Sequence, residues 1–323
     1  MNLRRALLAA SLACCAACGA REQLPPMARM EMYGDSLSLP FERRITAMPP
    51  ALLEEYRRMD ARPDYSAHVP TDAEKALVLR YLRLMPPAFE RAFRARCVGL
   101  YFVEGFAGSG MTSWVRGADG RAYFHMALNP AVFGQTLSRT LTERERSCFA
   151  AAPGYSVSVD AGVKYKGLAY ALFHESAHAL DYVEGLSPMA DPELPAALRR
   201  APAGGAALFA RVWDSYSAPK PAADYPARAS LTFYGLGGGP KLKAGDAAAA
   251  YEELAASPFI SLYGSKSWAE DYAELTAYAL ITGRLGQPYR ITVSGPRGRK
   301  VYEPMKGRAG ARARAALELA EKI

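Results

Sequence analysis

Leu168-Ala169-Tyr170-Ala171-Leu172-Phe173-His174-Glu175-Ser176-Ala177-His178-Ala179-Leu180 decides how this chain is read, because it sets two imidazoles one helical turn apart inside an apolar run. The run holds neither Pro nor Gly until Gly185, where a helix of about five turns would stop. Side chains at i and i+4 share a helix face, so both rings reach one tetrahedral metal ion, and Glu175, rotated away from them, reaches a water there instead. Two such histidines can also be a solvated helix surface. The apolar flanks argue otherwise, and of the 4 histidines in the chain two lie in this motif. A buried helix carrying two imidazoles needs a partner for them.

Zinc, the usual occupant of this arrangement, takes a third protein ligand. Tyr263-Gly264-Ser265-Lys266-Ser267-Trp268-Ala269-Glu270-Asp271-Tyr272-Ala273-Glu274 offers one. The pattern predicts a helix from near Ser267 through Leu275, Ala277, Tyr278, Leu280 and Ile281 to a stop at Gly283. Glu270 and Glu274 are neighbours on it, so one carboxylate can bind the metal while the other orients a ligating ring from behind. Ser267-x-x-Glu270 also reads as a capping box, which competes for the same carboxylate.

His174-Glu175-x-x-His178-Ala179-x-Asp181 together with Tyr263-Gly264-x5-Glu270-x3-Glu274 resembles the gluzincin zinc metallopeptidases related to anthrax lethal factor, the Pro-Pro endopeptidases and the Mlc titration factor peptidases. The resemblance covers the two motif helices. It implies a zincin-like α+β fold, one zinc ion per chain held by His174, His178 and Glu270, Glu175 as general base and acid, Tyr263 as oxyanion donor, and Glu274 behind a ligating histidine. Asp181 is a second candidate for that supporting role, or a solvent-facing residue late in its helix. The implied reaction is hydrolysis of a peptide bond in a peptide or protein substrate. The stretch from about 183 to 262 is longer than the family pattern and reads as an insertion beside the cleft, with loop pieces at Ala203-Gly204-Gly205 and Gly237-Gly238-Gly239-Pro240.

The start of the chain sets the expected compartment. Arg4-Arg5, the apolar run Ala6 to Ala17 and Cys18-Gly19 read as a signal peptide over 1–17, too short for a membrane span of about 20 residues. Ala16-Ala17-Cys18 resembles a lipobox, which makes Cys18 the lipidated N-terminus of an exported lipoprotein facing the periplasm or the outer membrane; Cys14 is a poorer site, and an ordinary cleaved signal is the rival reading. Cys97 and Cys148 are then an even pair in an oxidising compartment, and a disulfide between them is expected against the alternative of two buried thiols. Losing Arg4 and Arg5 lowers the formal charge from +8 to +6, modest for this length. Arg297, Arg299, Lys300, Lys306, Arg308, Arg312 and Arg314 cluster late and read as a solvated hairpin and helix face, or less simply as a surface for an anionic envelope. No basic stripe interleaved with aromatics points to nucleic acid.

Residues 18–70 read as tether and a partly ordered wrap, and 71–323 as the catalytic domain. Thr71-Asp72-x-Glu74 opens a helix that ends before Pro86-Pro87; Val98 to Val103, Thr112 to Val115 and Arg121 to Leu128 read as strands, the last two joined as a hairpin across Gly117 to Gly120. Tyr155 to Val159 alternates like a strand, Tyr289 to Val293 with Val301 to Glu303 reads as a hairpin, and a helix from about Arg312 to Lys322 ends the chain. The expected plan is α+β: a small twisted sheet packed on the first motif helix, followed by a mostly helical half carrying Glu270. Arg121 to Leu128 is the candidate edge for pairing with an extended substrate. Rival functions are a non-peptidase zinc amidase of the cell envelope and a scaffolding lipoprotein that keeps zinc for structure.

Overall fold

The computed structural model describes residues 24–187, 194–199 and 206–323. The expected signal peptide over 1–17, Cys18 and Ala203-Gly204-Gly205 lie outside these described residues. Strands β1 (Ser66–His68), β2 (Cys97–Glu104), β3 (Gly110–Arg116) and β4 (Ala122–Leu128) form one mixed sheet in the order β1-β2-β4-β3. From β2 the chain passes to the outer position and returns as β3. The hairpin across Gly117 to Gly120 then inserts β4 beside β2, parallel to it.

This order corrects one expectation. Arg121 to Leu128 is not an edge, since β4 is paired on both sides; the edges are β1 and, next to β4, β3. The composition agrees afterwards: Ala122, Phe124, Met126, Ala127 and Leu128 are all buried, the near-continuous burial of a strand covered on both faces.

Helices α1 (Pro50–Asp60), α2 (Asp72–Leu82), α3 (Pro87–Arg96), α4 (Ala131–Gly134) and α5 (Leu137–Arg146) precede the long helix α6 (Leu168–Glu184), which carries the first motif. The predicted capping box at Thr71 and Glu74 is formed on both sides. Helix α6 stops where expected, at Gly185 in the left-handed region (φ 65°), a conformation that favours glycine. It lies against β3 and β4 on one side and against the later helices on the other, so it is apolar nearly all round.

After α6 come α7 (Ala206–Ala210), α8 (Ala247–Ala256), α9 (Trp268–Ala279) and α10 (Arg308–Glu321). Helix α9 does not stop at Gly283. It runs on through a π-helical turn, Leu280–Arg284, and Gly286 is the residue that turns left-handed. Among the remaining strands, β5 (Phe149–Ala150), β6 (Ser156–Asp160), β7 (Leu242–Lys243), β8 (Arg290–Gly295) and β9 (Gly298–Tyr302), β5 pairs with β7 and the others form a sheet in the order β6-β8-β9. With 49% helix and 18% strand, and the strands gathered in one main sheet on one side of α6, the class is α+β.

Two cores share the main sheet. Alternation along β2 sends Leu100 and Phe102 toward α6, and Tyr101 and Val103 to the opposite face. That opposite face is covered by Tyr33, Met48, Leu52, Leu53 and Tyr56 from the N-terminal segment, and β1 extends the sheet. Residues 24–70 are therefore built into the body, through α1, β1 and several 3₁₀ turns, and not merely laid around it.

The expected disulfide is not formed: Cys97 and Cys148 are free, buried thiols. Cys97 opens β2, its carbonyl gripped by Arg44, whereas Cys148 follows α5 with Sγ 3.9 Å from the Arg144 carbonyl. Burial pushes the Cys97 thiol up to about 12, away from the thiolate that oxidation requires. The late basic cluster is not uniformly a solvated face either. Arg312 is turned inward and donates to both oxygens of buried Asp271, at 3.1 and 2.6 Å.

Candidate metal centre

Helix α6 presents His174 and His178 on one face, and the start of α9 presents Glu270 to them. His174 Nε2 is 3.1 Å from Glu270 Oε2, His178 Nε2 is 3.6 Å from the same oxygen, and the two Nε2 atoms are 3.2 Å apart. A tetrahedral zinc with bonds of 2.0 to 2.1 Å spaces its ligand atoms by roughly 3.3 Å. The three edges fall around that value. This trio is a metal-capable group, its ligand atoms all within 4.8 Å of one another.

Three atoms with lone pairs face a common point, and Glu270 Oε2 is buried there without a hydrogen bond of good geometry. Although burial alone would depress it, the two carboxylates beside His174, Glu270 and Glu274, raise it to about 10. Glu270 moves the opposite way: burial would raise it, and the neighbouring histidines hold it well below the usual carboxylate range. Positive charge is what this point is built to receive.

The competition over Glu270 resolves atom by atom. Ser267 Oγ accepts from the Glu270 backbone N–H at 3.2 Å and caps α9, while the Glu270 carboxylate, free of the cap, faces the histidines. Backbone does one task and side chain the other.

Glu274, one turn on, receives His174 Nδ1–H at 2.8 Å, so that Nε2 carries the lone pair toward the centre. Its carboxylate also accepts from Tyr170 (2.7 Å), Ser261 (2.6 Å) and Arg144 (2.7 Å). These charges and hydrogen bonds outweigh burial and hold it down at about 2. Asp181 is buried but is not placed like Glu274: its oxygens accept the backbone N–H and hydroxyl of Ser187, both at 2.7 Å. It closes the turn after α6 instead of gripping a ring.

Glu175 is 5% exposed and its Oε2 has no hydrogen-bond partner. Burial raises its carboxyl, with the adjacent histidines opposing. Thr112 on the edge strand donates to the Glu175 carbonyl at 3.0 Å, and Gly110 comes so close that a Cβ there would lie 2.9 Å from Glu175 Cγ. Edge strand and candidate base are thus in contact. The Tyr263 hydroxyl donates to Glu270 Oε1 at 3.3 Å, and its ring lies 5.7 Å from that of His174.

Several residues here were not read from the sequence. Arg144 lies in the charge run Glu143-Arg144-Glu145-Arg146, yet it is 1% exposed. A signal existed: Leu137, Leu141 and Arg144 are at i, i+4 and i+7, so Arg144 occupies the apolar stripe of α5. Tyr234, from the stretch read as an insertion, stands with its ring 6.5 Å from Tyr263 and adopts φ 57°, a strained conformation for an aromatic residue. No family model, curated protein or solved structure matched the chain when compared with it.

Proposed function

We propose that this chain is a zinc-dependent endopeptidase of the gluzincin type on a zincin-like fold. The observation that carries the reading is a buried carboxylate oxygen on Glu175 with no partner, one residue from a convergent His174, His178 and Glu270 set. A structural metal site has no use for an uncommitted base, which weighs against the scaffold reading. A bound zinc ion supplies Lewis acidity toward the scissile carbonyl and the attacking water.

The chain's own residues supply the rest. Glu175 takes the proton of the attacking water and returns it to the leaving amine, a task suited to a carboxyl raised by burial. Tyr263 leaves Glu270 and donates to the developing oxyanion. An extended substrate pairs with the outer edge of β3, whose first residue abuts Glu175. Main-chain pairing of this kind asks for no particular sequence.

The test is digestion of a diverse peptide library, read by mass spectrometry, with Glu175→Gln alongside. Wild type should cleave internal peptide bonds. The variant should keep its metal and fold and lose turnover by about 10²–10⁴ or more, because an amide cannot take the proton. An untouched library with hydrolysis of a non-peptide amide would move the reading to an envelope amidase. We also propose export and anchoring through an acylated Cys18, to be checked by identifying the mature N-terminus by mass spectrometry. Among the described residues no helix is long and apolar enough to cross a membrane.

A further inference from the structure

Beneath the metal centre lies a cation that the hydrolytic reading does not use. Arg144 Nη1 donates to Glu274 Oε2 at 2.7 Å and to the Tyr170 hydroxyl; Nη2 donates to Glu145 Oε1 and the Tyr278 hydroxyl, both at 2.6 Å; Nε donates to Glu145 Oε1 at 3.1 Å. All five N–H donors of the guanidinium are spent. The same group lies over the Tyr263 ring, 5.8 Å from its centroid, and over Tyr170 at 4.9 Å. Glu145 is in turn held by the Tyr251 hydroxyl, so the far side of the fork is fixed.

We propose that Arg144 is a positioning residue of the metal centre: one guanidinium sets Glu274, which sets the ring of His174, and by its face also seats the ring of Tyr263. The proposal rests on the reading that His174, His178 and Glu270 take a metal. Only a planar fork serves both carboxylates at once, since a lysine ammonium is a point charge. A residue there for core charge balance alone would need no link to the ligand; Arg144 reaches His174 through a single carboxylate.

The experiment measures metal affinity by competition with a chromophoric chelator and ligand geometry by the visible spectrum of Co²⁺ in the site, so turnover is not needed. Arg144→Lys should fold, bind Co²⁺ about 10–100-fold more weakly, and shift its spectrum. In a Glu274→Gln background the same change should cost less than about twofold more, because the relay is already cut. His125→Gln, on the opposite face of the sheet, is the control, expected to keep affinity within about threefold. The proposal is overturned if Arg144→Lys binds as wild type does, or if its loss multiplies fully with that of Glu274→Gln. Should Arg144→Lys not fold, Arg144→Met is made with Glu145→Gln, which leaves Glu274 on His174, Tyr170 and Ser261; it must then bind Co²⁺ at least about tenfold more weakly than the Glu145→Gln protein, and equal affinity overturns the proposal. Wild type that takes up no metal at all refutes the metal centre itself, a separate outcome.

Discussion

Two buried histidine environments lie on opposite faces of the sheet layer, and they differ in what surrounds the ring. His125, on β4, is fully buried among tyrosines: Nδ1 lies 2.7 Å from the Tyr33 hydroxyl and Nε2 2.8 Å from that of Tyr56. Tyr33 donates onward to the Met27 carbonyl, so it accepts Nδ1–H, and Nε2 accepts from Tyr56. Both ring nitrogens are served by neutral partners, and burial pushes His125 down to about 3. His174 is served on one side only. Its Nδ1 is held by a carboxylate, its Nε2 faces lone pairs, and it is pushed up. A satisfied ring is structure; a ring held from behind with its front open to other lone pairs is one that can take a metal.

Removing the front partners breaks this contrast most severely. His174→Ala, His178→Ala and Glu270→Ala should each abolish stoichiometric zinc, measured by elemental analysis, whereas His125→Gln should leave it unchanged. Glu274→Ala should retain zinc about 10–100-fold more weakly. If Glu270→Ala holds zinc as tightly as wild type, that residue is only the first turn of α9 with its cap.

Next in size is Tyr263, which distinguishes a ring that packs from one that reacts. Tyr263→Phe should lower kcat by roughly 10–10³ with little change in KM and none in zinc content, because its hydroxyl matters when negative charge develops. A kcat within about twofold of wild type would make Tyr263 a packing residue and leave the cation–π contact with Arg144 as its role.

What the sequence conveyed follows the range of each signal. Helix α6 and its stop were legible because period, apolarity and Gly185 are local, and His174, Glu175 and His178 came with them. Strand positions were legible and their order was not: nothing within Arg121 to Leu128 says that β3 lies outside it, so the edge was misassigned. Residues 24–44 lacked periodicity because they fold as short 3₁₀ turns, whereas α1 went unread although Leu52, Leu53 and Tyr56 share one face; the burial of both depends on a sheet face supplied from elsewhere. Arg144 was hidden by its acidic and basic neighbours, and its partner Glu274 stands 130 residues away. Asp181, one turn past His178, shows the converse: spacing allowed it to support a ring, and Ser187 took it.

The smallest expected effect tests the neutral histidine. His125 stays unprotonated in the folded chain down to about pH 3, while the same ring in the unfolded chain takes a proton near 6.5. Below 6.5 the unfolded state therefore binds more protons, and stability falls as pH falls. Lowering the pH from about 6.5 to 5.5 should cost on the order of 1 kcal/mol through this group, and below that the slope approaches about 1.4 kcal/mol per pH unit until the folded ring also protonates near pH 3. His125→Gln should remove that component, so the difference in unfolding free energy between the two proteins should shrink by about 1 kcal/mol over the same pH unit in denaturant titrations. Parallel pH dependence in the two would mean that water or a rearranged Tyr33 or Tyr56 lets the ring protonate in place. The face built from residues 24–60 would then yield to charge, and the line between the two histidine environments would be one of degree.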